Sequence, residues 1–211
     1  MVVPMVLAVA FVAAEECSKK GDAPVALTGQ QQRVIESAGW RDRVGDGFGV
    51  WVSIADQMLR IVRNGVVVWQ APCSTAANGP GSKADSLQTP LGWHSVVEKI
   101  GDGKPWGQVF REKRATREVW HSNDITDHHV VGDSVEEDLV LTRLLALTGE
   151  EPGKNKGGDV DSYARGIYIH GTNAEERIGQ PASHGCVRLT NDDVIAAYER
   201  IPIGTLVLIT E

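Results

Sequence analysis

Apolar residues along this chain come in short bursts separated by Gly, Pro and small polar residues, and most bursts alternate with the period of a strand. Val50-Trp51-Val52-Ser53-Ile54 is the first, and the run from Gln57 to Arg63 is the second. Asn64-Gly65 follows at once, the dipeptide that best tolerates the left-handed residues of a tight hairpin turn, and Val66-Val67-Val68-Trp69 continues from it. The pattern predicts a β-hairpin over 57–72 in an antiparallel sheet. Residues 74–88 are small, polar and Gly-rich, a long loop with no assignable core position. Thr89-Pro90-Leu91-Gly92 then turns the chain into a strand over 93–100, with Trp93, Ser95, Val97 and Lys99 on one face and His94, Val96 and Glu98 on the other.

From 101 to 138 the sequence is polar and keeps no sustained period, and a connection of that length reads as a functional lid or an insertion. Leu139–Leu147 is densely apolar and suits helix or strand; Gly149 and Pro152-Gly153 close it promptly, which favours a buried strand. Residues 150–161 are turn chemistry. Ile167 and Ile169 alternate with Tyr168 and His170, a strand ending in a histidine. Helical spacing is confined to two segments. Thr28–Ala38 has Thr28 as N-cap and Gly39 beyond its end; Asn191–Ile201 has Asn191 as N-cap, Asp192 and Asp193 in its first turn and Pro202 as its stop. Thr205–Ile209 is the last strand. The expectation is a mainly β fold with few short helices: a possible signal segment and linker over 1–28, then one domain over 29–211 that carries an insertion at 101–164.

Composition narrows this further. The chain has 211 residues, 21 basic and 28 acidic, a formal charge of −7, and no cluster of Lys and Arg of the kind that phosphate neutralisation needs, so nucleic acid is not an expected partner. Met1–Ala14 is nearly all apolar but short of the ~20 residues that cross a bilayer, so no transmembrane span is expected. The length suits the apolar part of a secretory signal, with Val12-Ala13-Ala14 as a small-residue cleavage site, although no Lys or Arg precedes it. Lipid attachment at Cys17 is disfavoured by Glu15 and Glu16. Export to the periplasm or cell wall is the expected localisation.

Three cysteines, Cys17, Cys73 and Cys186, cannot all pair within one chain, so at least one thiol is free. Cys73 reads as a small buried hydrophobe. Cys186 stands in Ser183-His184-Gly185-Cys186-Val187-Arg188-Leu189, sixteen residues after His170. A thiol attacks carbonyls only as the thiolate; a neighbouring imidazole lowers its pKa and later returns the proton to a leaving group. A glycine before the nucleophile lets the backbone turn amides toward a developing oxyanion. By itself a cysteine two residues from a histidine fits packing as well as catalysis.

The wider pattern adds to it. His170-Gly171-Thr172, Gly179, the 183–189 segment, Asn191 and Asp193 together resemble the signature of the L,D-transpeptidase catalytic (YkuD) domain family. The hairpin at Asn64-Gly65, the loop reaching Thr89-Pro90-Leu91-Gly92 and the closing 204–209 strand follow that family's order of parts, so the resemblance covers roughly residues 50–211. It implies a sandwich-like β domain in which Cys186 attacks a peptidoglycan stem peptide between its third and fourth residues. His170 would be the base and acid, with the carbonyl of Gly171 fixing its tautomer, and Gly185 and Cys186 would offer oxyanion amides. An amine of a second stem gives a 3→3 crosslink; water gives carboxypeptidase trimming; a wall-binding module without activity is the reading from another class. The resemblance also implies a carbapenem adduct on Cys186, and no cofactor.

Residues around the pair have more than one reading. His184 is a rival base, since residues 184 and 186 share a face of an extended segment. Arg188 shares that face and holds either a substrate carboxylate or a neighbouring acid, and Ser183 belongs to the same segment; Arg165 reads as structural. His121, His128 and His129 with Glu136 or Glu137 lack zinc-ligand spacing, so no metal is expected. Of the six Trp, Trp106 and Trp120 are candidates for stacking on substrate, and the rest read as core. A long lid in 101–138 would disfavour a bulky acceptor amine and favour water.

Overall fold

The computed structural model describes residues 24–121 and 138–211. Its strands are β1 (Val25–Ala26), β2 (Phe48–Ser53), β3 (Met58–Arg63), β4 (Val66–Pro72), β5 (Gly92–Ile100), β6 (Gln108–Arg111), β7 (Arg114–Val119), β8 (Val140–Gly149), β9 (Tyr168–Gly171), β10 (Val187–Leu189) and β11 (Leu206–Thr210); its helices are α1 (Gly29–Ser37), α2 (Trp40–Val44) and α3 (Asn191–Arg200). This is a mainly β fold, as expected. None of the described helices is long and apolar enough to cross a membrane.

The β3–β4 hairpin turns on Asn64 (φ 51°) and Gly65 (φ 73°), the two left-handed positions for which that dipeptide is suited. From it the sheet runs β1-β4-β3-β2-β11-β5-β8, and β8 carries β9 and then β10 on its far side. A bridge between Ser74 and Arg188 joins the end of β4 to β10, so the sheet curls back toward its own start. Inside the curl, Val50, Val52, Leu59, Ile61, Leu145, Ile169, Val187 and Ile209 pack with Val194, Ala197 and Ile201 of α3. Outside it, Trp51, Trp93 and Leu208 pack with Ile35 of α1 and Trp40 of α2. Alternate residues of one strand thus serve two cores, which is what the period-two pattern required.

Part of the 101–164 stretch is built into the sheet. β8 is a central strand, paired to β5, β6 and β9, and β6 and β7 form a hairpin that extends the sheet. That hairpin was not expected, because Gln108–Arg111 is short and Arg114–Val119 is largely exposed, leaving no apolar alternation to see. Residues 122–137, where the lid was expected, lie outside the described residues. The C-terminal helix starts one residue from the expected cap: Thr190 Oγ1 accepts from the Asp193 amide, and Asn191 is the first helical residue.

Candidate active site

β9 carries His170 into the protein and β10 lies parallel to it, with Val187 opposite Ile169 and Arg188 opposite His170. Cys186 leads directly into β10, two residues before Arg188, which brings it to the Tyr168 end of β9. The register therefore assembles the two candidate reacting groups on neighbouring strands. His170 is buried, and its Nδ1 lies 2.7 Å from the carbonyl of Gly171. A carbonyl can only accept, so Nδ1 bears the proton and Nε2 keeps the lone pair. Burial lowers the pKa of His170; Asp138 and the Gly171 carbonyl oppose that and Arg188 adds to it. The ring is a neutral base.

The Cys186 thiol donates to the Gly166 carbonyl at 3.3 Å, and its sulfur accepts from the Tyr168 amide at 3.4 Å. Burial pushes this thiol up to about 12; the Tyr168 amide, Arg188 and Arg165 act against the rise and Asp138 adds to it. The expected lowering of the thiol by its histidine is not what these surroundings produce. At rest the sulfur keeps its proton. Both Cys186 and Cys73 are free. Cys73 is fully buried, and burial holds it at about 12 against the pull of Arg60, in keeping with a packing role. Cys17 lies outside the described residues.

Ser183 shapes the turn before the sulfur. Its buried hydroxyl donates to the Cys186 carbonyl at 2.6 Å and accepts from the Gly185 amide at 3.1 Å. That commits the Gly185 amide, one of the two expected oxyanion donors, within the turn. Gly185 has φ +130°, and a Cβ there would stand 3.2 Å from the Gln88 carbonyl oxygen. Only glycine fits.

The loop after β4 is more deeply involved than its composition suggested. Ser74, Thr75 and Ala76 are fully buried, contrary to the expectation of a loop without core positions. Ser74 exchanges two 2.9 Å backbone bonds with Arg188, the Thr75 carbonyl accepts from Ala182 and Ser183 at 2.8 Å each, and Gln57 brackets Thr75 from both sides. Small side chains are what permit this approach. The loop fastens the turn before Cys186 to the sheet.

Charged neighbours complete the site. Arg188 is buried and ion-paired to Asp138 Oδ2; the expected contact with a neighbouring acid is the one present. His184 is exposed, with Nδ1 3.4 Å from the same carboxylate oxygen. Asp138 carried no sequence signal of its own, being the last of three consecutive acids, Glu136-Glu137-Asp138, at the end of a polar stretch. Arg165 donates to the carbonyls of Gly81 and Gln88 at 3.3 and 2.7 Å, a structural use as expected, while its charge also acts on Cys186.

Behind His170, β8 bulges at Thr142-Arg143, with Thr142 at φ +68°. The bulge aims Thr142 Oγ1 at Asn191 Oδ1, 2.5 Å away, and Asn191 Nδ2 donates to the Thr172 carbonyl and to Glu175 Oε1, each at 2.8 Å. Asn191 is therefore a clamp on the His170–Thr172 segment, not a helix cap. Trp106 and Trp120 stack on each other at 5.7 Å, with Trp106 Nε1 donating to Asp192 at 3.1 Å, while Trp40, Trp51, Trp69 and Trp93 are core. Among the described residues no three His, Cys, Asp or Glu are placed to hold a metal ion; His128, His129, Glu136 and Glu137 lie outside them.

The chain is thus a mainly β domain that places a cysteine and a carbonyl-anchored histidine beside one another. Residues 47–209 match the YkuD L,D-transpeptidase catalytic domain, and the chain belongs to that family. It is 56% identical over 122 residues to the "Probable L,D-transpeptidase YbiS" of Escherichia coli K12, an alignment covering 56% of this chain and 32% of the relative. It is 49% identical over 124 residues to the "Probable L,D-transpeptidase ErfK/SrfK" of the same strain, covering 59% of this chain and 33% of the relative. The chain thus spans about a third of the length of these curated relatives. Among solved structures it is similar to L,D-transpeptidase 3 of Mycobacterium tuberculosis with a faropenem-derived adduct, at 19% identity and a TM-score of 0.45, covering 78% of this chain and 61% of that one.

Proposed function

We propose that this protein is a peptidoglycan L,D-transpeptidase that makes 3→3 crosslinks through an acyl-enzyme on Cys186. The observation that carries the reading is the buried neutral His170, its Nδ1 proton held by the Gly171 carbonyl, on the strand beside the cysteine. His170 Nε2 takes the thiol proton as the sulfur leaves the Gly166 carbonyl and bonds to the carbonyl carbon of the stem's third residue. The oxyanion forms next to the Cys186 amide. When the C–N bond breaks, the imidazolium gives its proton to the departing D-amino acid, and a thioester remains. A second stem's side-chain amine attacks the thioester, His170 accepts the amine's proton, and the sulfur is expelled and reprotonated, leaving a new amide.

Mass analysis of a disaccharide-tetrapeptide incubated with the purified protein tests this. A crosslinked dimer is the expected product. Tripeptide without dimer would replace transfer by carboxypeptidase trimming, and unchanged substrate would overturn the enzyme in favour of a wall-binding module. A carbapenem is expected to add its mass to the wild type and not to Cys186→Ala. Because the substrate lies outside the cytoplasmic membrane, the reading carries with it export to the periplasm or cell wall, in keeping with the apolar Met1–Ala14 segment.

A further inference from the structure

Asp138 is joined to charged groups around the thiol and the imidazole, and its charge acts on both. Its Oδ2 pairs with the Arg188 guanidinium and stands 3.4 Å from His184 Nδ1. Arg188 has little freedom of its own: its backbone pairs with His170 across β10 and β9 and with Ser74 on the other side, and its side chain is 5% exposed. A guanidinium so placed needs a compensating charge at short range. Asp138, 16% exposed, supplies it. Hydrogen bonding does not complete the pair, because Arg188 Nε and Asp138 Oδ1 are buried without a partner among the described residues. A single charge-assisted contact, Arg188 Nη2 to Asp138 Oδ2, joins the two.

We propose that Asp138 is a positioning residue of the acyl-transfer site: its carboxylate fixes Arg188 and cancels the guanidinium's charge at the Cys186–His170 pair. The inference rests on the cysteine reading of the site given above. The charged and titratable groups around the sulfur are His170, Asp138, Arg188, Arg165 and Tyr168, and those around the imidazole are Cys186, Asp138 and Arg188. Arg165 is held by two backbone carbonyls, so the adjustable charges are the ion pair itself. With both members present their effects on sulfur and ring oppose one another, and the thiol rests protonated. With either removed, the survivor acts unopposed.

The test is the rate at which iodoacetamide alkylates Cys186 as a function of pH, a reaction that needs no cell-wall substrate. Asp138→Asn leaves the Arg188 cation uncompensated, so the profile is expected to move down by about one pH unit, making alkylation at pH 8 roughly tenfold faster. Arg188→Met is expected to move it the other way, and the double variant to return it near wild type. Asp138→Glu is expected to keep the wild-type profile. Profiles unchanged in both single variants, or displaced in the opposite sense, would overturn the proposal. So would loss of the fold in both Asp138→Asn and Asp138→Ser, which would assign the carboxylate to structure. A wild type that forms no acyl-enzyme with a carbapenem would instead remove the catalytic reading beneath it, a separable result.

Discussion

At the scale of single residues, the site is a protonated thiol beside a neutral imidazole, and that has consequences for pH. Burial raises Cys186 to about 12 and lowers His170, both shifts favouring the uncharged forms. Alkylation of the resting enzyme is therefore expected to climb steadily from pH 7 to pH 10; a plateau near neutrality would show a standing thiolate and contradict this account. Cys186→Ala is expected to end turnover with the fold intact, judged by circular dichroism. His170→Ala is expected to lower kcat on the order of 10² or more, since the buried ring is the group placed to carry the proton. His184→Ala should be mild by comparison, because His184 is exposed and its nearest charged partner is Asp138 rather than the sulfur. A dead His184→Ala beside an active His170→Ala would exchange their roles.

Between residue and sheet stand the elements that aim these groups, and here the polar clamp on β9 matters most. Asn191 spends its side chain on Thr142, Thr172 and Glu175, tying a bulge in β8, the end of β9 and the start of α3 into one joint. Asn191→Ala would strand the buried Thr172 carbonyl and leave Thr142 Oγ1 without its acceptor. A loss of about 1–3 kcal/mol is expected in urea unfolding, together with a fall in kcat larger than any change in KM. Such joints were the least legible part of the chain. Asn64-Gly65, the Ile167–His170 alternation and the cysteine's small polar neighbours were readable, because turn chemistry and period-two burial act within a few residues. Asn191 read as a cap because a cap is the local use of asparagine before acids, and its partner at Thr142 lies 49 residues away. Asp138 and the burial of Ser74–Ala76 were hidden for the same reason. β6 and β7 were missed for a different one: an exposed edge hairpin buries too little to impose a pattern.

For the whole molecule, the sheet's curl makes stability and site geometry one question, because β8 pairs both with β5 on one side and with the histidine's strand on the other. Shortening 101–138 would for that reason do more than trim a surface loop, since β6 within it pairs to β8. A second histidine reports on the same joint. His94 on β5 is fully buried, its Nδ1 3.0 Å from the Gly92 carbonyl and its Nε2 3.0 Å from Ser162 Oγ, so Nδ1 donates and Nε2 accepts. Ser162 lies in the connection that leads to β9. Burial lowers His94 to about 4, against the pull of Glu151 and Glu150. Its pKa is depressed in the folded state, so the unfolded chain takes up a proton first as pH falls. Full stability is present above about 6.5, and the loss accrues between about 6.5 and about 4, amounting to about 3 kcal/mol in all. Glu151 and Asp161, also depressed, lose their contributions only below their ordinary values of 4.5 and 3.8, so the upper part of the window belongs to the two buried histidines, His94 and His170, whose pKa burial also lowers. Urea unfolding at half-unit steps from pH 7.5 to 4.5 is expected to show this decline in the wild type. His94→Gln should start lower and decline less steeply over the same range, keeping only the share that His170 contributes. Equal slopes in the two proteins would mean that some other group carries the acid sensitivity of the β5–β8 joint.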